Sequence, residues 1–153
     1  MRTRREIEQI MREAGVMADQ VMIGDDVYAL PSKEWLSGRF AEALRTFFNG
    51  LELNSWEAEK NDCDDFARGA AWFAAMLHNR SAAKAGLKRS GLAIGEIWYR
   101  QADGVNHAIN CAIIPEPGKD RVVFFEPQNV LRNADPIVEL SEEERMICLG
   151  YRY

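Results

Sequence analysis

The chain is poor in the residues that staple or ligate. Its 153 residues hold three cysteines, Cys63, Cys111 and Cys148, and two histidines, His78 and His107. Three thiols cannot all pair internally, and no CxxC or Cys/His cluster offers zinc a ligand set, so reduced thiols are expected. Long apolar runs are missing as well. No stretch approaches membrane-spanning length, and the N-terminus lacks the apolar core of a signal peptide. As written, the chain is expected to be made and kept in a cytosol unless lysis releases it. Positive charge is in deficit, with 19 Lys and Arg against 24 Asp and Glu, a net charge of −5 and a pI near 5.1. That balance argues against an obligatory nucleic-acid or anionic-membrane surface. Arg2, Arg4 and Arg5 make a basic start, but Glu6 and Glu8 soon interrupt it, as on a solvated helix face. Repeats, low-complexity tracts and linkers are absent.

What is present is ordinary globular composition, 47% hydrophobic and 28% charged. The length suits a single domain over 1–153 with a core of its own. It divides into an N-terminal helix and irregular segment (1–31), a helical part (32–91) and a sheet part (92–153). Thr3 and Glu6 form a capping box for a first helix that Gly15 ends. Residues 16–31, with "GDD" and Pro31, read as irregular. Ser32 caps a second helix whose apolar stripe is Trp35, Leu36, Phe40, Leu44, Phe47 and Phe48. A third helix starts near Asp62 to Asp64, capped by Asn61 or Asp62, and buries Phe66, Ala70, Phe73 and Leu77. From Leu92 the period changes to two, and strands are expected over 92–101, 107–114 and 121–126, with a last one in "MICLGYRY". Helices first and an antiparallel sheet afterwards is an α+β pattern.

The stretch "NDCDDFARGAAWF" sets Cys63 at a helix start, where the helix dipole favours a thiolate. Such a nucleophile needs a base and a group to orient that base. His78 lies at the far end of the same helix, about 22 Å away, and cannot serve. His107 opens a strand. Glu126 closes the next one, held extended by Pro127 so that it and Gln128 project to one side and the acid reaches the second His107 N–H. Cys111 is four residues along from His107, about 13 Å, and reads as core. Each residue alone has a plainer reading: a buried small side chain, a turn histidine, a surface acid. The combination is what points to chemistry. The acidic neighbours oppose it, because one carboxylate about 6 Å from the sulfur costs a thiolate roughly 2–3 kcal/mol at an effective dielectric near 20. Either Asp64 and Asp65 turn away, or a cation sits among them. Oxygen ligands from Asp64, Asp65 and Gln128 would suit calcium or manganese.

"DCDDFA", "NHAIN" and "FFEPQN", in that order, resemble the C-terminal papain-like domain of fungal chimerolectins of the Marasmius oreades agglutinin type. The resemblance covers roughly residues 27–130. It implies a papain-like fold, with the nucleophile helix packed on an antiparallel β-sheet, and a cysteine protease dependent on calcium or manganese. It implies Cys63 as nucleophile, His107 as base and Glu126 as orienter, with Asp64, Asp65, Gln128 and Asn129 at metal positions, and a homodimer. Two departures stand out. No β-trefoil lectin is attached, so glycan targeting is not implied. Glu57 stands where papain-like enzymes place an oxyanion glutamine, which leaves the Cys63 backbone N–H as donor, with Asn61 or Trp56 as helpers. The resulting expectation is a metal-activated peptidase or amidase acting on a peptide or protein substrate. The alternatives are an inactive metal-binding or interaction module on the same fold, or an acyl transferase of the transglutaminase type.

Overall fold

The computed structural model describes residues 1–53, 62–86, 90–146 and 148–153. A two-residue strand, β1 (Arg2–Thr3), leads into α1 (Arg4–Glu13), whose capping box is complete: Thr3 accepts from the Glu6 N–H, and the Glu6 carboxylate accepts from the Thr3 N–H. Two strands follow, β2 (Ala18–Met22) and β3 (Val27–Ala29). Ser32 caps α2 (Lys33–Trp35), which continues through a π-helical turn (Leu36–Phe40) into α3 (Ala41–Gly50). The long helix α4 (Cys63–Lys84) is followed by β4 (Gly91–Leu92), β5 (Ile94–Arg100), β6 (Asn106–Ile114) and β7 (Arg121–Phe125). A 3-10 turn (Pro127–Val130), β8 (Ile137–Val138), α5 (Glu142–Met146) and β9 (Cys148–Arg152) complete the chain.

The main sheet runs β2-β9-β5-β6-β7-β8, and a smaller one runs β1-β3-β4. Neither is purely antiparallel. β2 lies parallel to β9, with Ala18 opposite Cys148, and β3 lies parallel to β4, with Tyr28 opposite Gly91. This corrects the papain-like plan of helices first and an antiparallel sheet afterwards. Residues 16–31, expected to be irregular, supply an edge strand to the main sheet and the central strand of the smaller one. The reason is burial. β2 is the outermost strand of its sheet and exposes Asp19, Gln20, Val21 and Met22, so it shows no apolar alternation of its own. Its partner β9 is at the other end of the sequence.

Both faces of the main sheet are covered. Ile7 and Met11 of α1 pack with Ile97, Ile109, Ile113 and Phe124. On the other side Phe40, Leu44, Phe48, Phe66 and Ala70 meet Ala112, Ile114 and Phe125. Each large apolar side chain so buried contributes about 1.5–3 kcal/mol. Double coverage explains the unbroken apolar run of β6, which is buried from Ala108 to Ile114. Asn110, fully buried in that run, donates from Nδ2 to the carbonyls of Ala67 (2.8 Å) and Gly95 (3.2 Å), which ties α4 to the sheet. Gly95 is required where it stands. A Cβ there would collide with the Arg152 carbonyl oxygen, so only glycine lets β9 close on β5.

Candidate functional site

Cys63 is the first residue of α4, and its half-buried thiol lies near the start of β6, close enough to the Ala108 N–H for that group to favour the anion. Burial is the strongest influence on that thiol and pushes its pKa up. The Ala108 N–H works against burial, and the Asp62 and Asp64 charges add to it. Asp62, rather than Asn61, is the N-cap in the described chain, and its side chain caps nothing. It stands beside Asp64 and Asp65 instead, with one oxygen of each within 4.8 Å of the others. The closeness of Asp64 raises the Asp62 pKa, while Asp62 and then Arg68 lower that of Asp64. Arg68, one turn on, pairs with Asp64 at 2.7 Å and Asp65 at 3.6 Å. A guanidinium thus already tempers the field that opposes a thiolate.

His107 and Glu126 meet at 2.8 Å, Nε2 to Oε2, with side chains only 18% and 14% exposed. Glu126 is extended (φ −88, ψ 103), as a residue before proline should be, and caps the 3-10 turn by accepting the Gln128 N–H at Oε1, 3.0 Å away. Its own N–H donates to the Pro136 carbonyl at 2.7 Å. The Tyr99 ring stands edge-on to the imidazole at 5.8 Å, and burial pushes the Tyr99 hydroxyl up to about 12. One end of α4, the first residues of β6 and the turn after β7 thereby converge on one place.

The other expected residues fall as follows. Gln128 is buried within the 3-10 turn rather than extended beside Glu126, and Asn129 donates from Nδ2 to the Asp135 carbonyl at 2.9 Å. The carboxylates that gather, with one oxygen of each within 4.8 Å of the others, are Asp62, Asp64 and Asp65. Asp62 is the member that sequence reasoning passed over. Arg68 was missed too, although its i+4 and i+3 spacing from Asp64 and Asp65 was there to be read. No sequence signal marked Tyr99. Cys111 is wholly buried, donates to the Tyr153 hydroxyl at 3.3 Å, and is pushed by burial up to about 12. His78 lies toward the far end of α4, with Nε2 3.2 Å from the Ser90 hydroxyl. Trp56, Glu57 and Asn61 lie outside the described residues. Among the described residues no helix is long and apolar enough to cross a membrane.

No protein family and no curated protein matches the chain. Solved structures do. One is PSL1a in complex with E64, at 19% identity and a TM-score of 0.71, covering 99% of this chain and 51% of that one. Another is Polyporus squamosus lectin bound to the human-type influenza-binding epitope Neu5Acα2-6Galβ1-4GlcNAc, at 20% identity and a TM-score of 0.69, covering 99% and 49%. This chain spans about half the length of each, and the likeness is one of fold. By name the neighbours are Polyporus squamosus lectin, not a protease of the Marasmius oreades agglutinin type. The resemblance drawn from three short motifs is corrected accordingly, and with it the papain-like label and the cysteine peptidase or amidase expected from it. Short motifs specify a few side chains, and a constellation of three does not by itself specify the fold or the activity around it.

Proposed function

We propose that this chain is a ligand-binding module whose working atom is the Cys63 sulfur. The 2.8 Å bond between His107 and Glu126 carries the reading, because it holds an imidazole by a carboxylate beside a thiol at a helix start. Glu126 settles which ring nitrogen of His107 is protonated and leaves the other able to take the Cys63 proton. The Ala108 N–H and the helix start favour the sulfur anion that results. Such a centre bonds sulfur to an electrophilic carbon of a ligand: the thiol proton passes to His107, and the electron pair of the carbon's double bond, or of its bond to a leaving group, moves off that carbon. Asp62, Asp64 and Asp65 offer oxygen donors only, which fits a hard cation such as calcium or manganese. A cation there would balance the charge that the three adjacent carboxylates gather.

Iodoacetamide alkylation, followed by mass spectrometry across pH, tests the reading. Cys63 should label first, and His107→Ala should slow it by at least about tenfold at neutral pH. Equal, slow labelling of all three cysteines, or indifference to His107, would refute it. A second reading, service in carbohydrate recognition, is supported by the lectin neighbours, one of them bound to a sialylated glycan. Titration of the chain with Galβ1-4GlcNAc and its sialylated form checks this directly.

A further inference from the structure

We propose that Asn110 is the positioning residue of the thiol centre: its side-chain amide fixes the start of α4 on β6, and with it the place where the Cys63 sulfur meets that strand. This rests on the reading of Cys63 as the working atom, and it names the residue that holds the parts of that centre together.

Asn110 is out of keeping with its neighbours. It is wholly buried in the apolar run of β6, between Ile109 and Cys111. Its Nδ2 donates to the Ala67 carbonyl at 2.8 Å and to the Gly95 carbonyl at 3.2 Å, which uses both of its hydrogens. Both partners are acceptors only, so the amide nitrogen must be the end that faces them. The amide oxygen is then left buried, with no partner among the described residues. An unpaired buried acceptor destabilises the fold, and an aliphatic side chain of similar shape would avoid it. What the amide supplies and an aliphatic group cannot is direction.

Direction matters because the apolar face of α4 is smooth. Of its buried residues, Phe66, Ala67, Ala70, Ala74 and Ala82, all but the first are alanine. Ala70 and Ala74 pack with Ala112 of the sheet. Methyl groups make shallow ridges, which resist sliding of a helix weakly. The bond to Ala67 removes that freedom close to the sulfur, since Ala67 is four residues from Cys63, about 6 Å along the axis. On the sheet, Asn110 lies three residues from His107 on the same strand and directly opposite Phe125, the residue before Glu126. Ala108, whose N–H favours the Cys63 anion, is two residues away and on the same face of β6. One amide thereby joins the helix of the thiol to the strand of the imidazole, beside the strand that delivers the carboxylate.

The test compares Asn110→Val with the parent chain and with His107→Ala, by urea unfolding and by the pH profile of iodoacetamide labelling at each cysteine. Valine suits a buried strand position and leaves no polar atom unpaired. Asn110→Val should unfold at a urea concentration equal to or above that of the parent, with Cys111 and Cys148 as protected as before. It should nonetheless label Cys63 about tenfold more slowly at neutral pH, with a profile moved toward that of His107→Ala. Parent-like labelling of Cys63 in Asn110→Val, with His107→Ala slow, would overturn the positioning role and leave the thiol reading standing. Labelling indifferent to His107 would overturn both. A lowered urea midpoint with Cys111 and Cys148 opened to the reagent would show that Asn110 merely supports the fold. Asn110→Ala, which cannot overpack, decides by labelling alone where the valine variant fails to fold. Failure of both to fold would overturn the positioning role, because the amide would then be needed for folding itself.

Discussion

The start of α4 and the sheet beside its middle handle negative charge in opposite ways. At its start Asp62, Asp64 and Asp65 stand half-exposed or exposed beside the Cys63 thiol, tempered by Arg68. Beside its middle a single carboxylate, Glu96, is held in the protein against Arg152, with side-chain exposures of 4% and 40%. The first arrangement is cheap and adjustable, because water screens it and a proton or cation can enter or leave. The second is rigid, because a buried charge must keep its partner. An adjustable field suits a group whose ionisation is to be tuned.

The comparison breaks most sharply at Arg152. Arg152→Ala leaves the buried Glu96 without its half-exposed cation and should cost about 2 kcal/mol in urea unfolding, less than the loss from a wholly buried pair. A loss below about 1 kcal/mol would show that water reaches Glu96 and that the two places do not differ in kind.

Alkaline titration sharpens the contrast among thiols. Burial raises Cys111 to about 12 and Cys148 to about 11, and raises Cys63 as well. A raised thiol pKa contributes stability that is present below the unfolded value near 9 and lost as pH rises through the folded one. The melting temperature should therefore fall from about pH 9 upward. Cys63, the half-buried member, should be alkylated at lower pH than the other two. Coincident labelling profiles would remove any distinction between Cys63 and the core thiols.

Glu126→Gln should act on the thiol centre. The amide can still hold His107 but does not stabilise its cation, so Cys63 alkylation should slow a few-fold, less than in His107→Ala. An alkylation rate equal to that of the parent would mean that Glu126 only caps its turn.

The smallest effect belongs to Arg68→Ala. Its partners are exposed, so unfolding free energy should drop by about 0.5 kcal/mol. Cys63 alkylation should slow nonetheless, because the carboxylate field is left uncompensated, and added calcium should restore the rate if the aspartates hold an ion. Insensitivity of both readouts to Arg68 and to calcium would show that the acidic cluster is merely solvated.

The amino-acid sequence carries only one side of this contrast. The start of α4 announces itself through neighbours in sequence: an acidic turn around a cysteine, a histidine opening a strand, a glutamate held extended by proline. Nothing local marks the other side. Glu96 and Arg152 are 56 positions apart, and Glu96 sits in "IGEIWYR" where alternation alone would make it an ordinary outward-facing acid.

By itself the sequence determined what acts over four residues or fewer. The Thr3–Glu6 box, the Ser32 cap, the apolar stripe of α4, the period-two strands and the backbone of Glu126 all follow from hydrogen bonds and steric limits between near neighbours. Tertiary structure alone decided which strands pair across the chain, that β2 runs parallel to β9 and β3 to β4, and that Ala108 faces Cys63 while Arg152 holds Glu96. The reason is energetic. An edge strand or a distant ion pair is stabilised by surfaces that exist only once the rest of the sheet has formed, so no window of sequence carries its signal.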